Sequence, residues 1–304
     1  MKLLKLIVGI IVLALFISSC FIISPIEEAK LPIDVPAVTL RSTYSLNGDP
    51  FPESQYVTAL FSLRNPGSDD TVALGDSHDQ YHSTLIIPGV YDVVYAHTRG
   101  SEIPQNKDAI VMAAVAIQTD QVLDIDVSSV VVSPHFTLNG KPFSTSHYNS
   151  AEFYLEDISG GERIPLGNSH QASEPILILP GIYNVIYSHQ NGDLVPQNQD
   201  AIIKAAVTID ADQVLEVDVP AVTLRSTYSL NGEPFSVSQY VTAFFSLRNP
   251  DSGDTVELGY SHDQYHSTMI IAGVYDVIYA HTQGSEIPQN KDAIIMSDVN
   301  INSS

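Results

Sequence analysis

From Val38 the chain alternates in character: Val38, Leu40, Tyr44 and Leu46 fall on one side, and Thr39, Arg41, Thr43 and Ser45 on the other. A period of two puts successive side chains on opposite faces of an extended strand, so this stretch predicts a half-buried strand. The next strand is sharper. Ala59, Phe61 and Leu63 make one face, which returns as Ala151, Phe153 and Leu155 and again as Ala243, Phe245 and Leu247. The opposite face changes from Leu60 to Glu152 to Phe244, and a glutamate is tolerated there only if water reaches it. Further strands are predicted over 71–74, 84–87, 90–97 and 109–117, with a Leu-x-Ile/Val-Asp-Val segment as the seventh. No segment carries a 3.6-residue stripe. Short strands broken by Asn-Gly, Asn-Pro and Pro-Gly predict an all-β chain of antiparallel β-sandwiches.

The pattern is written three times. Asn47-Gly48 recurs as Asn139-Gly140 and Asn231-Gly232, and Gly89 as Gly181 and Gly273, always 92 residues apart. That period suits a small domain and exceeds a solenoid repeat. The segment Leu31-Pro-Ile-Asp-Val35 returns as Leu123–Val127 and Leu215–Val219. If it opens each unit, three tandem sandwich domains run 30–121, 122–213 and 214–304, each of about seven strands and none left incomplete. Residues 34–120 and 218–304 agree at 68 of 87 positions, while the middle unit has diverged further.

The start of the chain follows a different logic. Lys2 and Lys5 precede an apolar run from Leu6 to Ile17, which is shorter than the roughly 20 residues a membrane-spanning helix needs. Small residues Ser18 and Ser19 then lead to Cys20, the only cysteine. This reads as a signal peptide over 1–19. Ile17-Ser-Ser-Cys20 resembles the bacterial lipobox, which implies a mature chain lipidated at Cys20, with palmitate among the lipids, and a tether over 20–29. Phe21 stands where an acidic residue would imply inner-membrane retention, so the resemblance implies a lipid-anchored protein of the outer membrane. An uncleaved anchor, or an ordinary secretory leader with an incidental cysteine, is the alternative.

Charge narrows the partners. The net charge is −22, and loss of the leader removes two lysines and no acid. Such a surface repels nucleic acid and anionic headgroups, although calcium or a basic partner stays possible. Without disulfides each unit needs its own hydrophobic core.

The run Leu85-Ile-Ile-Pro-Gly-Val-Tyr91-Asp-Val-Val-Tyr95 resembles the Pro-Gly-x-Tyr turn and strand of transthyretin-like domains, including carboxypeptidase-regulatory-like and Cna-B-like modules, and of immunoglobulin-like fibronectin sandwiches. The resemblance implies a tyrosine corner at Tyr91, Tyr183 and Tyr275. In the third copy Ala272 replaces the proline. Tandem repeats on a lipid anchor also resemble outer-membrane lipoproteins of environmental bacteria, which implies a place rather than an activity.

Catalytic signals are absent: there is no Gly-x-Ser-x-Gly, no His-Glu-x-x-His and no nucleotide-binding glycine loop. Ser77-His78-Asp79 holds the letters of a triad, but consecutive residues cannot align as one. If strands alternate in direction, loops 47–55, 75–83 and 98–108 share one end of the sandwich. His78, His82 and His97 gather there, and His262, His266 and His281 in the third copy. The middle copy offers His170, Glu174 and His189. Three-His and two-His-one-carboxylate sets suit zinc or copper; the plainer use of these residues is as polar loop side chains. Asp69, Asp70, Asp76 and Asp79 raise calcium without the spacing of a calcium loop. The motif Ile103-Pro-Gln-Asn106-Lys-Asp108 recurs at 195–200 and 287–292, where Asn and Asp suit loop pinning. With Tyr81 and Tyr265, the same rim could instead recognise a glycan.

The sequence therefore predicts a lipid-anchored, non-enzymatic surface protein needing no cofactor, a spacer or binding module at the cell envelope. The alternative is a glycan- or metal-binding protein that uses the histidine-bearing loop end. The expected partners are the membrane, through the anchor, and a protein or glycan, but no nucleic acid.

Overall fold

The computed structural model describes residues 31–302, apart from 69, 80, 161 and 264. The expected signal peptide, Cys20 and the tether lie outside the described residues, as does Asp69. Residues 31–36 form no strand.

The first repeat contains β1 (Val38–Leu46), β2 (Asp49–Pro50), β3 (Thr58–Arg64), β4 (Thr71–Asp76), β5 (His82–Ile86), β6 (Gly89–Arg99), β7 (Ala109–Ile117) and β8 (Gln121–Val127). One sheet runs β4-β3-β6-β7; in the other, β1 takes β2 and β5 on one side and β8 on the other. The second repeat copies this with β9 (Val130–Leu138), β10 (Lys141–Pro142), β11 (Ser150–Asp157), β12 (Ile164–Asn168), β13 (Ile176–Ile178), β14 (Gly181–Asn191), β15 (Ala201–Ile209) and β16 (Gln213–Val219). In the third the elements are β17 (Ala221–Thr227), β18 (Ser229–Leu230), β19 (Glu233–Pro234), β20 (Thr242–Arg248), β21 (Thr255–Tyr260), a short 3-10 turn at Ser261–Asp263, β22 (Tyr265–Ile271), β23 (Gly273–Gln283) and β24 (Ala293–Ile301). Asn47, Asn139 and Asn231 adopt positive φ, each followed by a glycine in the same region, which suits the hairpin turn leaving the first strand.

The structure moves the expected boundaries. Leu123–Val127 does not open the second unit. As part of β8 it lies parallel to β1, with Ser42 opposite Leu123 and Leu46 opposite Val127, and β16 does the same for β9. The pattern alternates because Leu123, Ile125 and Val127 point into the first core while Asp124 and Asp126 face water. The repeats therefore meet at 127–130 and 219–221 rather than at 121 and 213.

Each core is centred on the phenylalanine of the second long strand. Phe61 stacks on Tyr44 at 4.3 Å and meets Phe51 and Tyr95 edge-on. Phe153 stacks on Phe136 at 3.8 Å, and Phe245 on Tyr228 at 4.4 Å. Ring pairs of this kind add to the burial itself.

The revised boundary predicts fragment behaviour. Residues 128–219 should melt cooperatively, whereas 122–213 loses Leu215, Val217 and Val219 from its core. At about 1.5–3 kcal/mol for each fully buried aliphatic, that loss matches the whole stability of a small domain. Circular dichroism should show 122–213 largely unfolded; equal melts would return the boundary to 121/122. Within 128–219, Phe153→Ala should cost about 3–5 kcal/mol in a urea titration.

Candidate functional site

The loop end separates the histidines by role. His78 and His82 line one open hollow with Glu53, Asp79 and Tyr81. His97 is engaged elsewhere: its Nε2 lies 2.7 Å from the Gly100 carbonyl, and His189 and His281 repeat this with Gly192 and Gly284. The rings of His82 and His266 sit where a Cβ on Gly75 or Gly259 would project. Glu174 is exposed. Ligand atoms of Asp76, His78 and Asp79 come within 4.8 Å of one another, a different set from the three histidines. The corresponding residues are Asn168, His170 and Gln171 in the second repeat and Tyr260, His262 and Asp263 in the third. His262 is held by Thr242 Oγ1 at 3.0 Å. The Asp76 carboxylate thus has no counterpart in the other copies, and that of Asp79 returns only as Asp263.

Ser77 is buried, and its hydroxyl accepts the Ala59 N–H at 3.0 Å. Ser169 and Ser261 do the same for Ala151 and Ala243. These serines fix the start of the second long strand, and Ser77 is not poised as a nucleophile. Tyr81 is exposed, and the Arg225 guanidinium covers the Tyr265 ring at 4.8 Å.

The densest polar construction lies between the repeats. The hydroxyls of Tyr91, Tyr183 and Tyr275 donate to the carbonyls four residues earlier, at 2.7, 2.7 and 2.8 Å. Tyr95, Tyr187 and Tyr279 donate to Pro104, Pro196 and Pro288, securing the Ile-Pro-Gln-Asn loop. Asn106, at the tip of that loop, then crosses to the next repeat. Its Nδ2 donates to Tyr183 Oη at 2.9 Å, and its Oδ1 accepts the Leu179 N–H at 2.7 Å. Gln105 N–H reaches the Leu177 carbonyl at 2.9 Å. Asn198 repeats the grip on Tyr275 and Ile271 and adds a bond to Asp254. On the far side of each junction, Asn47 pairs with Ser129 and Asn139 with Ala221. Sequence reasoning assigned the motif to its own loop; the available signal was that Asn106, Asn198 and Asn290 persist while the following residue changes from Lys107 to Gln199.

No protein-family model and no curated protein matches the chain. Among solved structures it is similar to the TIE protein of Bacillus anthracis, at 13% identity over 88% of this chain and 49% of that one, with a TM-score of 0.23. The chain thus spans about half the length of that protein. It is also similar to a streptococcal ancillary pilin, at 10% identity over 88% and 99% of the two chains and a TM-score of 0.24. Two B repeat units of the collagen binding protein of Staphylococcus aureus match at 10% identity, 82% and 69% coverage and a TM-score of 0.19.

Burial pushes the hydroxyls of Tyr44, Tyr183 and Tyr275 up to about 12 from the ordinary 10.0, and those of Tyr95 and Tyr187 upward as well. A folded pKa above the unfolded one favours the neutral phenol, so this stability is complete below about pH 10 and is lost as pH rises toward 12. The melting temperature should hold to about pH 10 and then fall. Tyr183→Phe should cost about 1–3 kcal/mol at neutral pH, by stranding Asn106, and flatten the alkaline decline. A main loss below pH 9 would contradict this account of the tyrosines.

Proposed function

We propose that the chain is a lipid-anchored, non-enzymatic spacer at the bacterial outer membrane, held by Cys20 and carrying its third repeat away from the anchor. The observation that carries this reading is the junction. Only Ser128 and Ser129 separate β8 from β9, and only Pro220 separates β16 from β17. Each joint is fixed on one side by a strand built into the preceding sheet and on the other by Asn106 or Asn198. Joints fixed at two edges resist bending, which a spacer requires and an enzyme does not. The acidic surface keeps such a chain off anionic headgroups.

Two measurements test it. Each repeat of about 92 residues has a diameter of roughly 30 Å, so three in file reach about 95 Å. Small-angle scattering of residues 31–304, extrapolated to infinite dilution, should give that maximum dimension; about 60 Å would exclude a spacer. In the native host, Cys20→Ser should move the protein from the membrane pellet to the soluble fraction, and retention after a salt wash would exclude the lipid anchor.

A further inference from the structure

The third repeat lacks, among the described residues, the strand that closes the other two. β8 and β16 lie parallel to β1 and β9 and bury three aliphatic side chains each. Beside β17 that place holds a groove of about 340 Å³, lined by Leu224, Tyr228, Ile295, Met296, Val299 and Ile301. Its apolar floor is open: Ile295 is 50% exposed and Met296 55%. Ile117 and Ile209 are fully buried in the first two repeats, but the equivalent Ile301 is not. The nine-residue strand of the first two repeats is here broken at Tyr228 into β17 and β18.

The matching strand exists elsewhere in the chain, unused. Leu31-Pro-Ile33-Asp-Val35 stands 92 residues before Leu123–Val127 and has the same alternation, with Leu31 and Ile33 each 80% exposed. We propose that Leu31–Val35 of one copy adds to β17 of a second copy as a parallel strand, joining copies head to tail. The register of β1 with β8 transfers directly: Leu31 falls beside Ser226, Ile33 beside Tyr228 and Val35 beside Leu230.

The polar groups agree with this register. Asp126 accepts from the Ser45 hydroxyl and the Gly48 N–H, and Asp218 from the Thr137 hydroxyl and the Gly140 N–H. Asp34 takes the same place opposite Ser229 and Gly232. Pro32 costs no ladder bond. Because the Asn47 N–H bonds the Val127 carbonyl, residues 123, 125 and 127 face β1, and the N–H of 124 points away; proline is accepted at such an edge position.

The two ends of the molecule also complement each other outside the strand. Asn106 and Asn198 grip the following repeat, but the side chain of Asn290 has no hydrogen-bond partner among the described residues, and Asn290 is exposed. Leu179 and Ile271 are buried at their junctions, whereas the equivalent Ile87 is 55% exposed, and Leu85 beside it is 72% exposed. Head-to-tail addition sets Asn290 on Tyr91 and Ile87, and Asn231 on Ala37. It thereby reproduces the two junctions already inside the chain with no new geometry. Strand addition to an open sheet edge is a general mode of peptide capture, and a heterologous contact of this kind propagates. Ten residues lie between Cys20 and Leu31, a reach of at most about 40 Å of extended chain.

The test uses the full chain in detergent, with Cys20→Ser so that added thiols stand alone. Asp34→Cys with Ser229→Cys should yield a ladder of disulfide-linked multimers, whereas Asp34→Cys alone should stop at dimers. Leu31→Asp, Ile33→Asp and Val35→Asp together alter only exposed side chains; circular dichroism should be unchanged while noncovalent multimers disappear. A synthetic peptide of residues 29–37 should cap growth of the unsubstituted chain. A monomeric disulfide would mean that the chain fills its own groove. Multimers that survive the triple substitution would mean another interface, and monomers that bind no peptide would mean no acceptor. Each of those three results overturns the proposal. The Cys20 fractionation has a separate readout, so either idea can fail alone.

Discussion

The first sheet of each repeat is complete only when a strand lies parallel to its first strand. An antiparallel neighbour is reached by a tight turn, but a parallel neighbour requires the chain to cross over. Here the crossing is made from β7, in the other sheet, through Gln118–Asp120, and Asp120 Oδ1 accepts the Thr39 N–H at 2.7 Å. β8 then runs in the direction of β1 and leaves the repeat beside the Asn47-Gly48 turn. The next repeat has to begin there. A junction made in this way is part of a hydrophobic core, and no flexible linker intervenes.

That placement explains why the second grip can exist. With the strand edge fixed, the Asn106 loop of the first repeat faces the Pro180-Gly181 turn of the second, and the Asn198 loop of the second faces the Ala272-Gly273 turn of the third. A buried asparagine is then worth having: its amide finds a hydroxyl and its carbonyl finds a backbone N–H. A buried amide left without partners would destabilise the joint. The tyrosine corner thereby acquires a second use, since the hydroxyl that orders its own turn also receives the neighbouring repeat.

Much of this was legible in the sequence. Alternation around Phe61, Phe153 and Phe245 identified the strands and the core, and the 92-residue spacing identified the repeats. The boundaries were not legible, because Leu-x-Ile/Val-Asp-Val is a strand signal that does not say which neighbour it joins. Either cut fits the period, and only the pairing of Ser42 with Leu123 decides between them. Of the first-repeat histidines, His78 lies in a turn while His82 and His97 lie in strands β5 and β6, and the engagement of His97 depends on a carbonyl of Gly100 that no side-chain pattern reveals. The recurrence of Asn106 as Asn198 and Asn290 is plain in the sequence, yet the partners of Asn106, Leu179 and Tyr183, lie more than 70 residues away.

Hydrogen exchange resolved to single amides, on the dilute monomer, tests the shared strand most directly. The Asn47 and Asn139 N–H groups bond the carbonyls of Val127 and Val219. They, with Ile125 and Val217, should exchange as slowly as the amides of β3 and β11, because opening them means opening a core. The Asn231 N–H, which has no such acceptor among the described residues, should exchange far faster. If residues 121–127 and 213–219 exchange at the rate of an unstructured linker, the closing strands are not part of the cores, and the account of the junctions fails.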